Sequence, residues 1–235
     1  MRTVSSKKKR IKRHPISREE FLHGLLRSDF LYYLPLNKKG VVLDVGCGWG
    51  THAFNTARIA GMVYGCDPSE EKIRFCEKRR QKEEVKNVKF IQSKVEDLSF
   101  DQNIFDAILV HGLSTWSSEQ YSNLLHLYAF LKPGGTLYFG AESILGYIFL
   151  KKKYTQLLRE TGFVNEPNFY IASPSYHLPR FLIPHQDTEA LRFILISMTA
   201  YRGIAGALVR FFVRIPGGVS VLRNFFYSYA IFVKK

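Results

Sequence analysis

Val41-Val-Leu-Asp-Val-Gly-Cys-Gly-Trp-Gly50 is the stretch that decides the fold of this chain. A run of strand-forming residues carries an acid at Asp44, and the chain continues as Asp44-x-Gly46-x-Gly48-x-Gly50. Thr51-His-Ala-Phe-Asn-Thr-Ala-Arg-Ile-Ala60 follows with helical character. Strand, glycine-rich turn and helix in that order make a cradle for a nucleotide-like ligand. Glycine serves there because it turns with positive φ and lets a ligand approach the main chain. In a G-x-G-x-x-G dinucleotide pattern the third glycine would fall at Thr51, so the loop departs from that pattern. Asp67 ends the next apolar run, Val63-Tyr-Gly-Cys-Asp67, about twenty residues on, where an acid holds ribose hydroxyls.

Outward from this stretch, short apolar runs at 41–45, 63–66, 88–92, 106–111 and 136–140 alternate with helical segments. That alternation predicts βαβ units and a parallel sheet. Arg18 to Leu34 has helical spacing, with Phe21, Leu22, Leu25 and Leu26 on one face; Ser17 and Glu20 suit a capping box. A second helix follows Asp67 with Pro68 in its first turn. Another opens at Ser117-x-x-Gln120 and stops before Pro133-Gly-Gly135. The segment 147–161 is predicted helical, with Gly162 as its terminating residue. Phe163 to Ser173 holds a sixth strand and Tyr227 to Val233 a terminal one.

These pieces resemble class I S-adenosylmethionine-dependent methyltransferases. Leu43-Asp-Val-Gly-Cys-Gly-Trp-Gly50 is similar to the family's first motif, and Tyr64-Gly-Cys-Asp67-Pro-Ser to its ribose-binding turn. Val95-Glu-Asp-Leu-Ser-Phe100 resembles the adenine-side loop. Phe105-Asp-Ala-Ile-Leu-Val-His111 resembles the fourth strand, and Leu131-Lys-Pro-Gly-Gly-Thr-Leu-Tyr-Phe139 the turn and fifth strand. The resemblance covers about Phe21 to Phe163, in family order. It implies a doubly wound α/β fold: a mostly parallel seven-stranded sheet, helices on both faces, an antiparallel C-terminal strand, and a helical insertion before that strand.

The resemblance also implies a cofactor, S-adenosyl-L-methionine, held by Asp44, Gly46, Cys47, Gly48, Gly50, Asp67, Val95, Glu96 and His111. Asp44 would orient the loop or accept from the cofactor's ammonium. Asp67 has two readings, ribose acceptor or helix N-cap. Lys94 stands where relatives carry the acid that takes the adenine amino group. A lysine cannot accept, so Glu96 or Asp97 would accept from the amino group, and Val95's amide would meet the ring. His111 and Glu142 are the candidate catalytic residues, for a base or a hold on an acceptor oxygen; lining the pocket is the alternative for His111. Trp49 and Trp116 wall the pocket or simply pack. His52, His126, His177 and His185 lack metal-like spacing, so no metal is expected.

A chain of 235 residues, 46% hydrophobic, suits one large α/β domain. Cys47, Cys66 and Cys76 lack CxxC spacing, which favours free thiols in a reducing compartment. No N-terminal stretch suits a signal peptide. Residues 1–15 carry seven basic side chains and no acid, and so do residues 190–235; together they account for the net charge of +14. The expected organisation is a disordered basic arm at 1–15 and a methyltransferase domain at 16–235, with 174–222 a helical lid or insertion. The arm fits an import signal, a phosphate-binding tail or a solvated terminus. Arg192, Thr199, Arg202, Gly206 and Arg210 form a stripe beside bulky apolar residues. Such a helix suits the surface of an anionic membrane, and its arginines exclude a transmembrane span.

The function expected is methyl transfer, on oxygen or carbon, to a small-molecule, lipid-like or lipid-linked acceptor. The protein would be cytoplasmic, and peripheral where it meets a membrane. One alternative is an RNA methyltransferase with both basic ends on phosphate. Nucleic acid is the weaker reading, because His111-Gly-Leu-Ser follows strand four instead of a base-methylation motif. The other alternative is a non-catalytic binding module of the same fold.

Overall fold

In a computed structural model of the chain, the residues described are 29–110, 120–142, 147–172, 182–184, 187, 189–190, 192, 204–222 and 228–235. The basic arm, most of the helix expected over 18–34, and His111, Trp116 and Ser117 lie outside them. The described end of that first segment, Asp29–Tyr33, is a 3-10 helix. Pro35 lies just beyond, and the residue before a proline is steered away from α geometry.

Strand β1 (Val41–Val45) leads through the glycine turn into helix α1 (Thr51–Ala57). Strand β2 (Met62–Asp67), helix α2 (Glu70–Lys82), and strands β3 (Val88–Gln92) and β4 (Phe105–Val110) follow. Next come helix α3 (Gln120–Phe130), strand β5 (Leu131–Glu142), helix α4 (Tyr147–Thr161), and strands β6 (Asn168–Ala172) and β7 (Leu182–Pro184). Helices α5 (Ile204–Arg214) and α6 (Gly218–Leu222) precede the last strand, β8 (Ser228–Lys234).

The sheet runs β3-β2-β1-β4-β5-β8-β6-β7. Strands β1 to β5 pair in parallel, whereas β8 is antiparallel to both β5 and β6. This is the doubly wound, mostly parallel sheet expected, with its antiparallel C-terminal strand. The three-residue β7 adds an eighth strand at the edge, antiparallel to β6. Strand five begins earlier than its apolar run. Leu131 pairs with Phe105 and Thr136 with Ala107, so Lys132-Pro-Gly-Gly135 forms an irregularity inside β5 rather than a turn ahead of it.

Period-two alternation puts two cores on the two sheet faces. Val42, Val63, Ala107, Leu109, Tyr138 and Phe232 pack with Phe30, Ala53 and Phe54 on the α1 side. Leu43, Val45, Ile108, Val110, Leu137 and Phe139 pack with Leu124, Leu127, Tyr154 and Leu158 on the α3–α4 side. Helix α2 is capped by Ser69, whose side chain accepts from the Lys72 amide. Pro68 therefore stands just outside the helix, not in its first turn. Glu70 and Glu71 open α2, and Arg79, Arg80 and Lys82 close it, each matched to the helix dipole. Gly162, at φ 110, ends α4 as a left-handed residue.

Candidate functional site

Strand order reverses at β1, whose neighbours β2 and β4 lead away in opposite directions. Open α/β sheets bind ligands outside the carboxyl ends of the strands at such a point. Here the glycine turn leaves β1. Gly46, Gly48 and Gly50 take φ of 71, 55 and 80, a region that a side chain makes costly. Above Gly48 the space is open: a Cβ there would meet only the Gly46 carbonyl oxygen, at 4.0 Å. Below Gly50 it is closed, since a Cβ would lie 2.9 Å from Cys76 Sγ and 3.0 Å from the Phe54 ring. One glycine thus leaves room for a ligand, and the other lets α1 and α2 close beneath the turn.

The turn is tied down on three sides. The Cys47 amide donates to the Cys66 carbonyl at 2.9 Å. The Gly48 amide donates to Asp67 Oδ2 at 3.0 Å, and Cys76 Sγ donates to the Gly48 carbonyl at 3.4 Å. All three cysteines are buried free thiols. The side-chain hydrogen bond to Cys76, together with burial, drives the Cys47 thiol well above its usual range, and burial pushes Cys66 up to about 12. Cys47 and Cys66 therefore stay protonated and serve as packing, not as nucleophiles.

Asp67 ends β2, and its Oδ1 accepts from the Ser69 amide at 3.0 Å while Ser69 itself caps α2. The N-cap reading of Asp67 therefore passes to its neighbour. Its Oδ2 takes the Gly48 amide and lies 3.4 Å from Lys72 Nζ. The backbone carbonyl of Asp67 accepts from the Ser93 amide at 3.3 Å. Asp67 thus joins the glycine turn to the loop after β3, where the adenine-side motif lies.

Asp44 sits on the α1 face of β1, fully buried. Neither carboxylate oxygen has a hydrogen-bond partner among the described residues. Burial pushes the Asp44 carboxyl up to about 8; the nearby Ala53 amide opposes the rise without completing a hydrogen bond, and the Asp67 charge adds to it. A buried acid without a partner is costly. An ammonium brought beside it would supply the missing donors and favour the charged form. The donor set, the open space over Gly48 and the acid at the end of β2 all fit S-adenosylmethionine.

In the adenine-side loop, Val95 is half-buried against the core. Glu96 is about half exposed and pairs with Lys94 at 3.7 Å. The loop is held from below, where His126 Nε2 meets the Leu98 carbonyl at 2.8 Å. Trp49 is 44% exposed, edge-on to Phe75. His111 lies outside the described residues, one position past Val110, which aligns with Val45 across the sheet. Glu142 ends β5 in register with Ser228 of β8; its side chain is outside the description.

Sequence reasoning passed over three contacts: Lys72 beside Asp67, Cys76 on Gly48, and His126 under Leu98. Lys72 had a signal, falling in the first turn of the helix that Asp67 precedes. Cys76 and His126 had none, because each meets its partner 28 residues away in sequence.

Sheet order and glycine cradle together define a Rossmann-like class I methyltransferase that uses S-adenosylmethionine. The profile of a methyltransferase-domain family matches residues 36–167, more than half of the chain, and the chain belongs to that family. Membership makes it an enzyme and removes the non-catalytic reading. The chain is 27% identical over 201 residues to the ubiquinone/menaquinone biosynthesis C-methyltransferase UbiE of Wigglesworthia glossinidia brevipalpis, covering 80% of this chain and 79% of that protein. It is 31% identical over 99 residues to the ubiquinone biosynthesis O-methyltransferase of Acinetobacter baumannii, 42% of each chain. A SAM-dependent methyltransferase structure from Aquifex aeolicus superposes with a TM-score of 0.56 at 16% identity, over 93% of this chain and 97% of that one. At that identity the likeness speaks for the fold.

Proposed function

We propose that this enzyme methylates a lipid-like, electron-rich ring of quinol type, at carbon or oxygen. The observation that carries this reading is the similarity to a quinone-pathway C-methyltransferase over four-fifths of the chain, beyond the cofactor half alone. S-adenosylmethionine supplies a methyl group already activated on a sulfonium, so the protein's work is alignment and proton handling. Asp44 neutralises the ammonium, Asp67 holds the ribose hydroxyls, and Val95 and Glu96 meet the adenine. His111, next after β4, takes the hydroxyl proton of the acceptor ring. That step leaves a phenolate, whose oxygen or adjacent ring carbon then takes the methyl as its bond to sulfur breaks; transfer to carbon is followed by loss of that carbon's hydrogen as a proton, which restores the ring. Glu142 at the end of β5 is the second candidate for that proton. The segment 174–222 covers the acceptor.

The test is methyl transfer from isotopically labelled cofactor to a short-chain demethylquinol kept reduced, to a catechol, and to total RNA. Label is expected on the quinol, and NMR of the product separates carbon from oxygen. Label on RNA alone, or on none of the three with a cofactor-binding protein, refutes the proposal.

A further inference from the structure

We propose that the outer face of α5 and α6 docks the protein on an anionic lipid bilayer. This proposal stands on the surface of those helices and does not need the acceptor to be a quinol. The inner side of the pair is committed to the domain. Val213 and Val219 are buried in the core beneath α3 and α4, with Ala190 and Leu222 packed alongside. Arg192 closes the end of α5 by donating to the Val213 carbonyl at 3.1 Å. That contact holds Arg192, which is itself exposed, against the end of α5.

The outer side is apolar and open. Leu208 is 53% exposed, Phe211 58% and Ile215 37%; Val221 on α6 is 44% exposed. Leu208, Phe211 and Ile215 fall at i, i+3 and i+7, which is one line along a helix. Single exposed apolar residues are ordinary, but a contiguous line of them marks an interaction surface. Arg214 is exposed on the same side, three positions after Phe211. No acid occurs anywhere in residues 190–235.

That pairing of charge and apolarity selects the occupant. RNA offers phosphate but no apolar layer for Leu208, Phe211 and Ile215. A second copy would bring the same arginine against itself. A bilayer with anionic headgroups offers phosphate at the level of Arg214 and acyl chains below it. No described helix is long and apolar enough to cross a membrane, so α5 would lie flat, its arginine stem along the apolar boundary. Five residues, 223–227, connect α6 to Ser228, which pairs with Glu142 at the carboxyl edge of the sheet. The docked face is therefore tethered to the edge where the acceptor would arrive.

The experiment is co-sedimentation of the full chain with vesicles of phosphatidylcholine alone or with phosphatidylglycerol added. Wild type is expected to bind the anionic vesicles at least about tenfold more tightly, and Arg214→Glu several-fold less tightly than wild type. Leu208→Asp/Phe211→Asp should lose binding about tenfold or more while keeping its circular dichroism and cofactor affinity. The basic segment 1–15 is present throughout, so undiminished binding by that double variant overturns the proposal. Phe211→Trp provides a reading that does not depend on the double variant folding. Its emission should shift to the blue and be quenched by brominated acyl chains, and absence of both effects overturns the proposal. A concentration-dependent dimer lost in the double variant, with no vesicle binding, would assign the face to a second copy and overturn it as well.

Discussion

The half of the sheet that holds β3, β2, β1 and β4 differs in construction from the half that holds β8, β6 and β7. In the first, every neighbour pair is parallel. The groups assigned to the cofactor lie at the ends of these strands and on the loops that follow, with Asp67 bonded to Gly48 and Ser93. In the second half all pairs are antiparallel, and the chain leaves the sheet between β7 and β8 for α5 and α6. The proposed function divides labour along the same line: the cofactor would be held by groups at the ends of successive parallel strands, and the acceptor covered by an excursion that returns to the sheet.

The strongest way to break that division is to remove the proposed base. His111→Ala should lower turnover by about 10²–10⁴-fold with cofactor affinity nearly kept, as measured by labelled methyl transfer beside calorimetry. Glu142→Gln should do so instead if the second half supplies the base. Lost cofactor binding in His111→Ala would make that residue part of the cradle.

The next largest effect sharpens the cofactor side. Asp67→Ala should weaken S-adenosylmethionine binding by about 1.5–3 kcal/mol, the value of a charge-assisted hydrogen bond. It also frees Gly48 and Ser69, which Asp67 now holds. Unchanged affinity by calorimetry would leave Asp67 as a strut of the turn and nothing more.

The last effect is read as a slope rather than as a single change: a pH dependence set by Asp44 in the first half. Asp44 is raised from 3.8 to about 8 in the folded protein, whereas the unfolded chain ionises it near the ordinary value. Between those values the folded state holds a proton that the unfolded state has lost. Stability therefore falls as pH rises through that window, at a slope of up to about 1.4 kcal/mol per pH unit, and levels off above it. Denaturant melts of wild type and Asp44→Asn at several pH values check this, with the variant expected to be flatter. Saturating cofactor should flatten the wild-type profile too, because an ammonium beside Asp44 favours its charged form.

Much of the first half was legible in the residues. The alternation of Val42 with Leu43 and Val45 set the two faces of β1, and the Asp-Gly-Gly-Gly spacing set the turn. Boundaries were less legible. Nothing local said that Leu131 would already pair with Phe105 while Pro133-Gly-Gly135 bulged within the strand. Nor did it say that Ser69, and not Asp67, would cap α2, since both residue types cap well. Of the stripe expected from Arg192 to Arg210, Thr199 and Arg202 lie outside the described residues. Its helical period was readable, but which side met the core was not, and the structure turns Val213 inward and Phe211 outward.

By itself the sequence determined the order of elements, the glycine cradle and the acid at the end of β2. Those depend on dihedral preference and side-chain period, which act over a few residues. Only the tertiary structure decided that Cys76 and His126 would support loops 28 positions away, that Asp44 would be sealed without a partner among the described residues, and which face of α5 would stay exposed. Those outcomes depend on which surfaces become neighbours when the chain closes, and burial and contact at long separation leave no local pattern.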